Sequence, residues 1–357
     1  MDGLMMDTPL SLIHLFDRGT RLFADKQIVT STPGGMERLS YGDWGDRTRR
    51  LGGMLDDLDI SGDGRVATFA WNNSRHLELY FAAPCTGRVS HTLNLRLFPE
   101  QLTYIVNHAE DEVIFVDHSV AGLIWPLMDA FDTVRHVVLM DDGAPAPDAD
   151  AIRADVHDYE SLLASASAVE WTRVDENRAS SMMYTSGTTG NPKGVVYSHR
   201  SVVLHTFGAM MADTLGVNER DVILPVVPMF HANGWGMPFA MTGLGAKHVV
   251  LRKVDGAEIL RRVAEHGVTV MCAAPAVAAA VLEAAQDWEG EIPGRDRVRI
   301  IMAGAPPPTK TVVRVQEELG WEFIQIYGLT ETAPLLTMNR SRAEWDGDSS
   351  AERAVKL

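Results

Sequence analysis

Hydrophobic residues along this chain recur with two different spacings, one typical of helices and one typical of strands. Ser40 and Asp43 form a candidate capping box, and Trp44, Leu51 and Leu55 follow at helical spacing. Further helices are predicted over residues 74–84, 99–109, 255–267 and 309–319. Strands are predicted over residues 65–71, 112–116, 179–184, 221–227, 247–251, 268–272, 297–302 and 322–327. This alternation predicts an α/β fold of layered parallel β-sheets covered by helices.

Chain length and one polar segment predict how this fold is divided. A chain of 357 residues and 39.2 kDa is large enough for two subdomains. A segment rich in Pro, Ala and Asp over residues 141–150 indicates a loop or a subdomain edge. We expect a first α/β subdomain over residues 1–170, a second over 171–340 that carries the ligand-binding loops, and a tail over 341–357.

The overall charge and the cysteines restrict the class of partner and the compartment. The formal net charge of −16 argues against nucleic acid or an anionic membrane as the main partner. Cys85 and Cys272 are far apart in sequence, which favours a reducing compartment and predicts neither a disulfide framework nor a cysteine metal site. The longest apolar segment, residues 270–282, is too short for a membrane span and contains Pro275. With no secretory signal visible, we expect a cytoplasmic protein.

Residues 184–194 read YTSGTTGNPKG and carry the strongest chemical signal in the chain. Glycines let backbone N–H groups approach an anion, hydroxyls add donors, and Lys193 adds a charge that suits a phosphate. Composition alone would favour an ordinary surface loop. The P-loop pattern G-x-x-x-x-G-K-[ST] is absent, because Lys193 is followed by Gly194. The segment therefore predicts a phosphate-binding loop of another class.

Three further polar segments each follow a predicted strand. They are PMFHANGW over residues 228–235, AGAPPP over 303–308 and YGLTET over 327–332. Each has a structural alternative when taken singly, since His231 could be a core histidine, AGAPPP a stiff turn, and Glu331 a carboxylate at a helix start. In an α/β fold, loops that follow parallel strands meet at one edge of the sheet. We therefore expect these segments to share one site with the phosphate-binding loop.

In this order, the four motifs closely resemble those of the adenylate-forming (AMP-binding) superfamily, in particular its fatty-acyl-CoA synthetase branch. Residues 91–117 also look like the N-terminal region of that branch. The resemblance implies the fold of the large N-terminal domain of these enzymes. It also implies ATP-dependent conversion of an aliphatic carboxylic acid into an acyl-adenylate, and then into an acyl-CoA, with Mg²⁺ as cofactor and CoA as co-substrate.

The resemblance also assigns roles to individual residues. The ATP phosphates would be held by Thr185, Ser186, Gly187, Thr188, Thr189, Gly190 and Lys193. The adenine and the rest of the nucleotide would contact Gly304, Ala305, Pro306, Gln325, Ile326, Tyr327, Gly328, Leu329 and Thr330, with Tyr327 stacked on the base. Mg²⁺ would be held by Thr185 and Glu331, and the catalytic residues would be Thr185, Lys193, His231 and Glu331.

The acid would contact His231, Ala232, Trp235 and Gly236, with Trp235 at the mouth of an acyl tunnel. Members that activate amino acids carry an aspartate after the phenylalanine of this loop, as counterion to the α-ammonium group. Here Phe230 is followed by His231, so we expect an acid without an α-amino group. A medium- or long-chain fatty acid is expected first. A short acid such as a methylthio-alkanoate stays open, because one or two methylenes change binding only modestly.

Family members continue beyond YGLTET through a ribose-binding aspartate, a hinge and a small C-terminal domain that supplies a catalytic lysine. None of these is found before Leu357, so we expect a truncated chain that holds only the large domain and has impaired activity. The alternative is a non-catalytic ATP- or acyl-binding remnant. An aryl-acid or luciferase-like member is less favoured by PMFHANGW. The expected partners are small molecules, with neither nucleic acid nor an integral membrane segment, and a homodimer is possible.

Overall fold

The computed structural model describes residues 1, 3, 5–149, 152–185 and 190–357. In that part of the chain, the strands are β1 (Gln27–Thr32), β2 (Gly35–Ser40), β3 (Arg65–Phe69), β4 (Val89–Thr92), β5 (Asp111–Asp117), β6 (His136–Met140), β7 (Asp155–Asp158), β8 (Ala179–Thr185), β9 (Lys193–Ser198), β10 (Val222–Pro225), β11 (Lys247–Val250), β12 (Val270–Ala273), β13 (Arg299–Met302), β14 (Glu322–Gly328) and β15 (Leu335–Asn339).

The helices are α1 (Leu12–Leu22), α2 (Tyr41–Asp57), α3 (Ser74–Cys85), α4 (Pro99–Ala109), α5 (His118–Ile124), α6 (Tyr159–Ser165), α7 (His199–Met210), α8 (Ala232–Trp235), α9 (Met237–Leu244), α10 (Gly256–His266), α11 (Pro275–Ala284), α12 (Thr309–Arg314) and α13 (Ser350–Lys356). A π-helical turn over Val315–Leu319 continues α12.

The strands form two sheets. One has the order β15-β14-β13-β12-β10-β11-β1-β2 and the other β7-β6-β5-β3-β4-β8-β9. Strands β10 to β14 pair in parallel, as do β3 to β8, which confirms the predicted α/β architecture. The pairs β1–β2, β8–β9 and β14–β15 are antiparallel edge pairs that the strand pattern did not predict.

Each half of the chain, divided at residue 170, contributes strands to the sheet that is built mainly from the other half. Strands β1 and β2 join the sheet built from the second half, because β1 pairs with β11. Strands β8 and β9 join the sheet of the first half, because β8 pairs with β4. The division of the chain into domains at residue 170 stays a prediction, while the hydrogen-bonded sheets interleave across that position.

Local sequence signals account for several element boundaries. The Ser40 side chain accepts a hydrogen bond from the backbone N–H of Asp43 at 3.0 Å and begins α2, as its capping pattern predicts. Asp255 caps α10 in the same way through the N–H of Glu258 at 2.8 Å. That helix ends at Gly267, whose φ of +66° suits glycine better than other residues.

Helices attached to the two sheets pack against each other. Phe81 of α3 lies 5.5 Å, centroid to centroid, from Phe239 of α9, and Tyr80 lies 5.0 Å from the same ring. Phe16 of α1 and Trp44 of α2 also contact Phe81, and all five rings are buried. This shared aromatic core holds the two sheets in a fixed relation. In the described part of the chain, no helix is both long and apolar enough to span a membrane.

Candidate active site

The first wall of the site is the hairpin formed by β8 and β9. Thr185 and Lys193 lie directly opposite each other at its end, so the YTSGTTGNPKG segment connects two hydrogen-bonded strands. Ser186, Gly187, Thr188 and Thr189 lie outside the described residues. Gly190 has a φ of +92° and open space where a Cβ would stand. The polar loop therefore follows a strand that enters from the sheet, as its sequence predicts.

The second wall is the loop that follows β10, and Asn72 holds its backbone in place. The Asn72 amide donates to the carbonyls of Pro225 at 3.0 Å and Val227 at 2.9 Å, and its carbonyl oxygen accepts from the N–H of Met229 at 2.7 Å. The hydroxyl of Tyr80 donates to the carbonyl of Met229. These two positioning residues have no motif of their own and were not predicted from the sequence.

Backbone conformations in the left-handed region continue through this wall from Ala232 to Gly236. The φ values are +39° at Ala232, +41° at Asn233 and +55° at Trp235, a region that non-glycine residues rarely adopt. A Cβ at Gly236 would lie 2.5 Å from the ring of His205, so glycine is required there. This backbone places Trp235 against the cavity with 7% of its surface exposed.

The third wall comes from the ends of β13 and β14. Ala303 and Gly304 follow β13, and Gly304 has a φ of +92°. Ile326 and Gly328 belong to β14, and a Cβ on Gly328 would lie 1.9 Å from the carbonyl oxygen of Pro334. Only glycine lets the strand and the following turn approach this closely.

The three walls enclose a cavity of about 500 Å³. Its lining residues are Thr185, Lys193, His231, Ala232, Trp235, Ala303, Gly304, Ile326, Gly328, Leu329, Thr330, Glu331, Pro334 and Leu335. The segments predicted from four separate positions in the sequence therefore meet at one place.

Some described residues that the sequence predicted for the site do not line this cavity. They are Gly190, Gly236, Ala305, Pro306, Gln325 and Tyr327. The Tyr327 side chain is 53% exposed, so its ring is accessible, and its stacking on a base stays a prediction. Conversely, Ala303, Pro334 and Leu335 line the cavity but were not predicted, because apolar residues next to a motif give no signal of their own.

The charged groups that line the cavity have no hydrogen-bond or ion-pair partner among the described residues. In the part of the chain that the structure describes, neither the ammonium group of Lys193 nor the carboxylate of Glu331 forms a hydrogen bond or ion pair. Tyr197 donates to the carbonyl of Thr330 at 2.6 Å, which ties β9 to the turn that carries Glu331. Burial, together with the nearby Glu331, raises the pKa of Tyr197, so its hydroxyl remains a donor at neutral pH.

His231 is neutral at physiological pH. The atoms around it desolvate the ring and lower its pKa, and the positive charge of Arg96 adds to the effect. Its backbone N–H donates to the carbonyl of Pro228 at 3.0 Å, which fixes the turn before the left-handed segment. The ring can therefore donate one hydrogen bond to an anion without carrying a charge itself.

Thr185 and Glu331 suit a magnesium ion. Mg²⁺ prefers few protein oxygens and completes its shell with water and substrate phosphates. Both residues line the same cavity, and the Glu331 carboxylate forms no hydrogen bond or ion pair with the described residues. The described chain contains no group of three or more His, Cys, Asp or Glu residues that could hold a metal without a ligand. These two oxygens therefore fit a metal that arrives with phosphates.

A second cavity of about 530 Å³ adjoins the loop that follows β10. Phe230 and Pro228 form part of its lining, together with the basic residues Arg96, Arg252 and Lys253. Arg252 is held by Asp142 at 2.6 Å. The side chains of Arg96 and Lys253 have no partner among the described residues. A positively charged cavity thus lies beside the first one.

The fold and the site together define an α/β protein with a hairpin rich in glycine and hydroxyl residues and a loop cluster at the ends of parallel strands. Residues 16–355 match the family model of the AMP-binding enzymes. The chain belongs to this family.

Several similar proteins are named acyl-CoA ligases. The chain is 39% identical over 96% of its length to the 3-methylmercaptopropionyl-CoA ligase of Ruegeria pomeroyi, and 39% identical over 95% to the medium-chain-fatty-acid–CoA ligase of Ectopseudomonas oleovorans. It is 38% identical over 98% of its length to the long-chain-fatty-acid–CoA ligase of Thermus thermophilus. The chain spans 64%, 62% and 62% of the lengths of these three relatives.

Solved structures share the fold. The N-terminal domain of FACL13 from Mycobacterium tuberculosis superposes with a TM-score of 0.78 at 24% identity, covering 93% of this chain and 79% of that one. A fatty acyl CoA synthetase of the same organism gives a TM-score of 0.79 at 23% identity, covering 92% of this chain and 62% of that one. The mixed sheets flanked by helices are therefore those of an adenylate-forming N-terminal domain.

Proposed function

We propose that this chain binds ATP and an aliphatic carboxylic acid and takes part in forming an acyl-adenylate, from which CoA takes the acyl group. The observation that carries the proposal is the meeting of two unlike walls in one cavity. Lys193 and Glu331, together called the charged wall, line the cavity with charges that have no partner among the described residues. His231 and Trp235, together called the apolar wall, line it with a neutral, largely apolar surface. A phosphate ester and an aliphatic acid need these two environments side by side.

The charged wall is suited to the phosphates of ATP. The acid's carboxylate oxygen would form a bond to the α-phosphorus while the bond to the pyrophosphate oxygen breaks. Negative charge then builds on the α-phosphate and on the leaving pyrophosphate, and Lys193 can stabilise it. Mg²⁺, when held by Thr185 and Glu331, would supply charge neutralisation. The N–H groups and hydroxyls of residues 185–190 are expected to orient the phosphates.

The apolar wall is suited to the acid. Neutral His231 can donate a hydrogen bond to the carboxylate without neutralising the charge that attacks phosphorus. Ala232, Trp235 and Leu335 supply apolar surface next to it. No carboxylate follows Phe230, so an α-ammonium group would be desolvated without a counterion. We therefore propose an acid that lacks an α-amino group.

Two classes of acid, which differ in chain length, are supported by the similar proteins. Medium- or long-chain fatty acids are preferred, and the named relatives of the fatty-acid–CoA ligase type support this choice. The relatedness to a 3-methylmercaptopropionyl-CoA ligase supports a short thioether acid equally by identity. Each buried methylene contributes about 0.8 kcal/mol, so a series of chain lengths would separate the two.

The second cavity suits the phosphates of CoA. Arg96 and Lys253 are unpaired among described residues, and Trp71 and Phe230 offer ring surfaces in the same lining. Because this cavity adjoins the segment that contains His231, a thiol bound there would approach the acyl group past that segment. The thiol sulfur would bond to the acyl carbon as the bond to AMP breaks.

Binding of acyl-adenylate analogues tests this proposal without requiring turnover. Calorimetry would compare two sulfamoyl-adenosine analogues, one with a 4-methylpentanoyl group and one with a leucyl group, which differ only in the α-amino group. We expect the 4-methylpentanoyl analogue to bind at least tenfold more tightly than either its leucyl counterpart or sulfamoyl adenosine alone. Equal affinities of the three compounds would contradict the proposal.

Turnover is a separate question. Acid-dependent exchange of pyrophosphate into ATP, measured with acids of increasing chain length, would report both the preferred acid and how much activity this chain carries. The expected impairment of activity stays a prediction until then. A homodimer and a cytoplasmic location also stay predictions.

A further inference from the structure

A third cavity, of about 600 Å³, lies at the opposite ends of β13 and β14 from the candidate active site. We call it the arginine cavity and define it by five lining residues: Arg295, Arg297, Arg299, Arg340 and Arg353. It occurs in a chain with a formal net charge of −16. Positive charges gathered in one place must either stabilise the fold through ion pairs or bind a ligand.

Two of the five arginines have a structural role. Arg299 forms a close ion pair with Asp221 and also donates to the carbonyl of Leu215 at 2.6 Å. Arg340 forms a bidentate pair with Glu322, with distances of 2.5 and 3.0 Å. Both side chains join the start of a strand to a neighbouring loop, and their charges are neutralised.

The other three arginines have no carboxylate partner among the described residues. Arg295 donates to the backbone carbonyl of Glu318 at 2.9 Å, and Arg353 makes a long contact of 3.4 Å with the Gln316 carbonyl oxygen. The Arg297 guanidinium has no hydrogen-bond or ion-pair partner in the described chain. The lining thus carries more positive charge than its own carboxylates, Asp296 among them, neutralise.

A buried donor points to the same conclusion. The side-chain nitrogen of Gln316 is buried and lacks a hydrogen-bond partner in the described part of the chain, although Gln316 lines the cavity. Buried polar groups in proteins are nearly always paired, and one that is not calls for a ligand or water. Gln316 and the three arginines that lack a carboxylate partner among the described residues all donate hydrogen bonds, so the missing partner is an acceptor with negative charge.

We propose that the arginine cavity is a binding site for a small oligophosphate anion. Guanidinium groups bind phosphate oxygens through two parallel hydrogen bonds, and several of them together favour an ion with several charges. The two aromatic residues in the lining, Trp321 and Phe323, are each only 1% exposed, so they offer no surface on which a nucleotide base could stack. The phosphates themselves, rather than a base, are what this site recognises.

The test uses inorganic triphosphate as probe and calorimetry as readout. The Lys193→Ala variant serves as the background, because it removes the phosphate ligand of the candidate active site. In this background, we expect the combined Arg297→Gln and Arg353→Gln substitutions to weaken triphosphate binding at least tenfold, since each hydrogen bond to a charged group contributes about a factor of ten. Arg38→Gln, at the far edge of the same sheet, is the matched control and should change nothing.

Two further measurements determine the chemical class of the ligand and distinguish this proposal from the proposed function. ATP should bind the Lys193→Ala variant no more tightly than triphosphate, and citrate should bind at least tenfold more weakly. The arginine double variant, with Lys193 intact, should bind the acyl-adenylate analogue like the wild type. Circular dichroism and thermal melting would verify that each variant is folded.

Three results would overturn the oligophosphate site. They are the absence of triphosphate binding by the Lys193→Ala variant at millimolar concentration, unchanged binding in the arginine double variant, and citrate binding equal to that of triphosphate. None of these results depends on whether the candidate active site activates an acid.

Discussion

The candidate active site and the interface of α2, α3 and α6 contain charged residues in opposite states of pairing. At the helix interface, Arg47 contacts Glu78 at 2.7 Å and Glu160 at 2.9 Å, and Arg75 contacts Glu160 at 2.8 Å. Tyr159 donates its hydroxyl to Glu78. In the cavity, by contrast, the charged side chains have no partner in the described chain.

This difference separates the charges that stabilise the fold from the charges that are available to a ligand. Burial raises the pKa of Glu78, an effect that Arg47 opposes, so this carboxylate depends on its neighbours. Lys193 and Glu331 lie at a cavity edge, where water and ligands are their available partners. Removing a charge should therefore destabilise the first region and impair binding in the second.

The largest expected effect compares two carboxylates. Glu78→Ala should lower the free energy of unfolding by about 3 kcal/mol, because it removes the fully buried partner of the half-buried Arg47 and leaves that guanidinium partly uncompensated. Glu331→Ala should change it by no more than about 0.5 kcal/mol. Urea unfolding of the two variants measures both values, and similar losses would remove the distinction between the two regions.

The next effect concerns the metal. Glu331→Gln keeps the shape of the side chain and removes its charge, so Mg²⁺-dependent binding of ATP should weaken by about thirtyfold, or about 2 kcal/mol. Binding measured in EDTA should differ little from that of the wild type. The exposed residue Glu289, replaced by Gln, is the control. A loss of the same size in EDTA would exclude Glu331 as a metal ligand.

A smaller effect concerns acid stability. His205 packs under Gly236, both of its ring nitrogens are buried without a hydrogen-bond partner among the described residues, and burial lowers its pKa to about 4. Below the unfolded-state pKa of about 6.5, the unfolded chain binds a proton that the folded chain does not, so stability falls as the pH falls from about 6.5 towards 4.

Replacing His205 by Leu removes this contribution. Between pH 7 and 5.5, the wild type should lose about 1.2 kcal/mol more stability than His205→Leu. Urea unfolding at the two pH values makes the comparison. Parallel losses in the two proteins would show that His205 does not remain neutral in the folded state.

The smallest effect tests the link between β9 and the Glu331 turn. Tyr197→Phe removes the hydrogen bond to the Thr330 carbonyl, which should cost about 1 kcal/mol of unfolding free energy. ATP affinity should fall slightly, since the turn keeps its chemical groups but loses one attachment. Chemical unfolding and calorimetry of the same preparation measure both. Unchanged stability would mean that water replaces the phenol.

Much of the fold could be predicted from local patterns. Helix α4 begins at Pro99 and ends at Ala109, as its sequence predicts, because a proline at the first position and a regular apolar face act locally. The pairing of β1 with β11 could not be predicted in this way. It joins residues such as Val29 and Val249, and no local signal specifies so distant a partner.

The residues of the candidate site also differ in whether a local sequence signal could predict them. Lys193 and Glu331 were predicted because their motifs carry chemistry in consecutive residues, and both line the cavity. Asn72 was missed, because its role consists of three hydrogen bonds to a loop more than 150 residues away. The left-handed segment from Ala232 to Gly236 was missed as well, since Ala and Trp give no sequence signal for positive φ.

The central claim is that the ammonium group of Lys193, which has no partner among the described residues, binds the phosphates of ATP. Titration calorimetry of ATP against Lys193→Ala and Lys310→Ala tests it most directly, because Lys310 is an exposed lysine on α12 outside the cavity lining. We predict at least a tenfold loss of ATP affinity for Lys193→Ala and no change for Lys310→Ala. Equal affinities of the two variants would contradict the account.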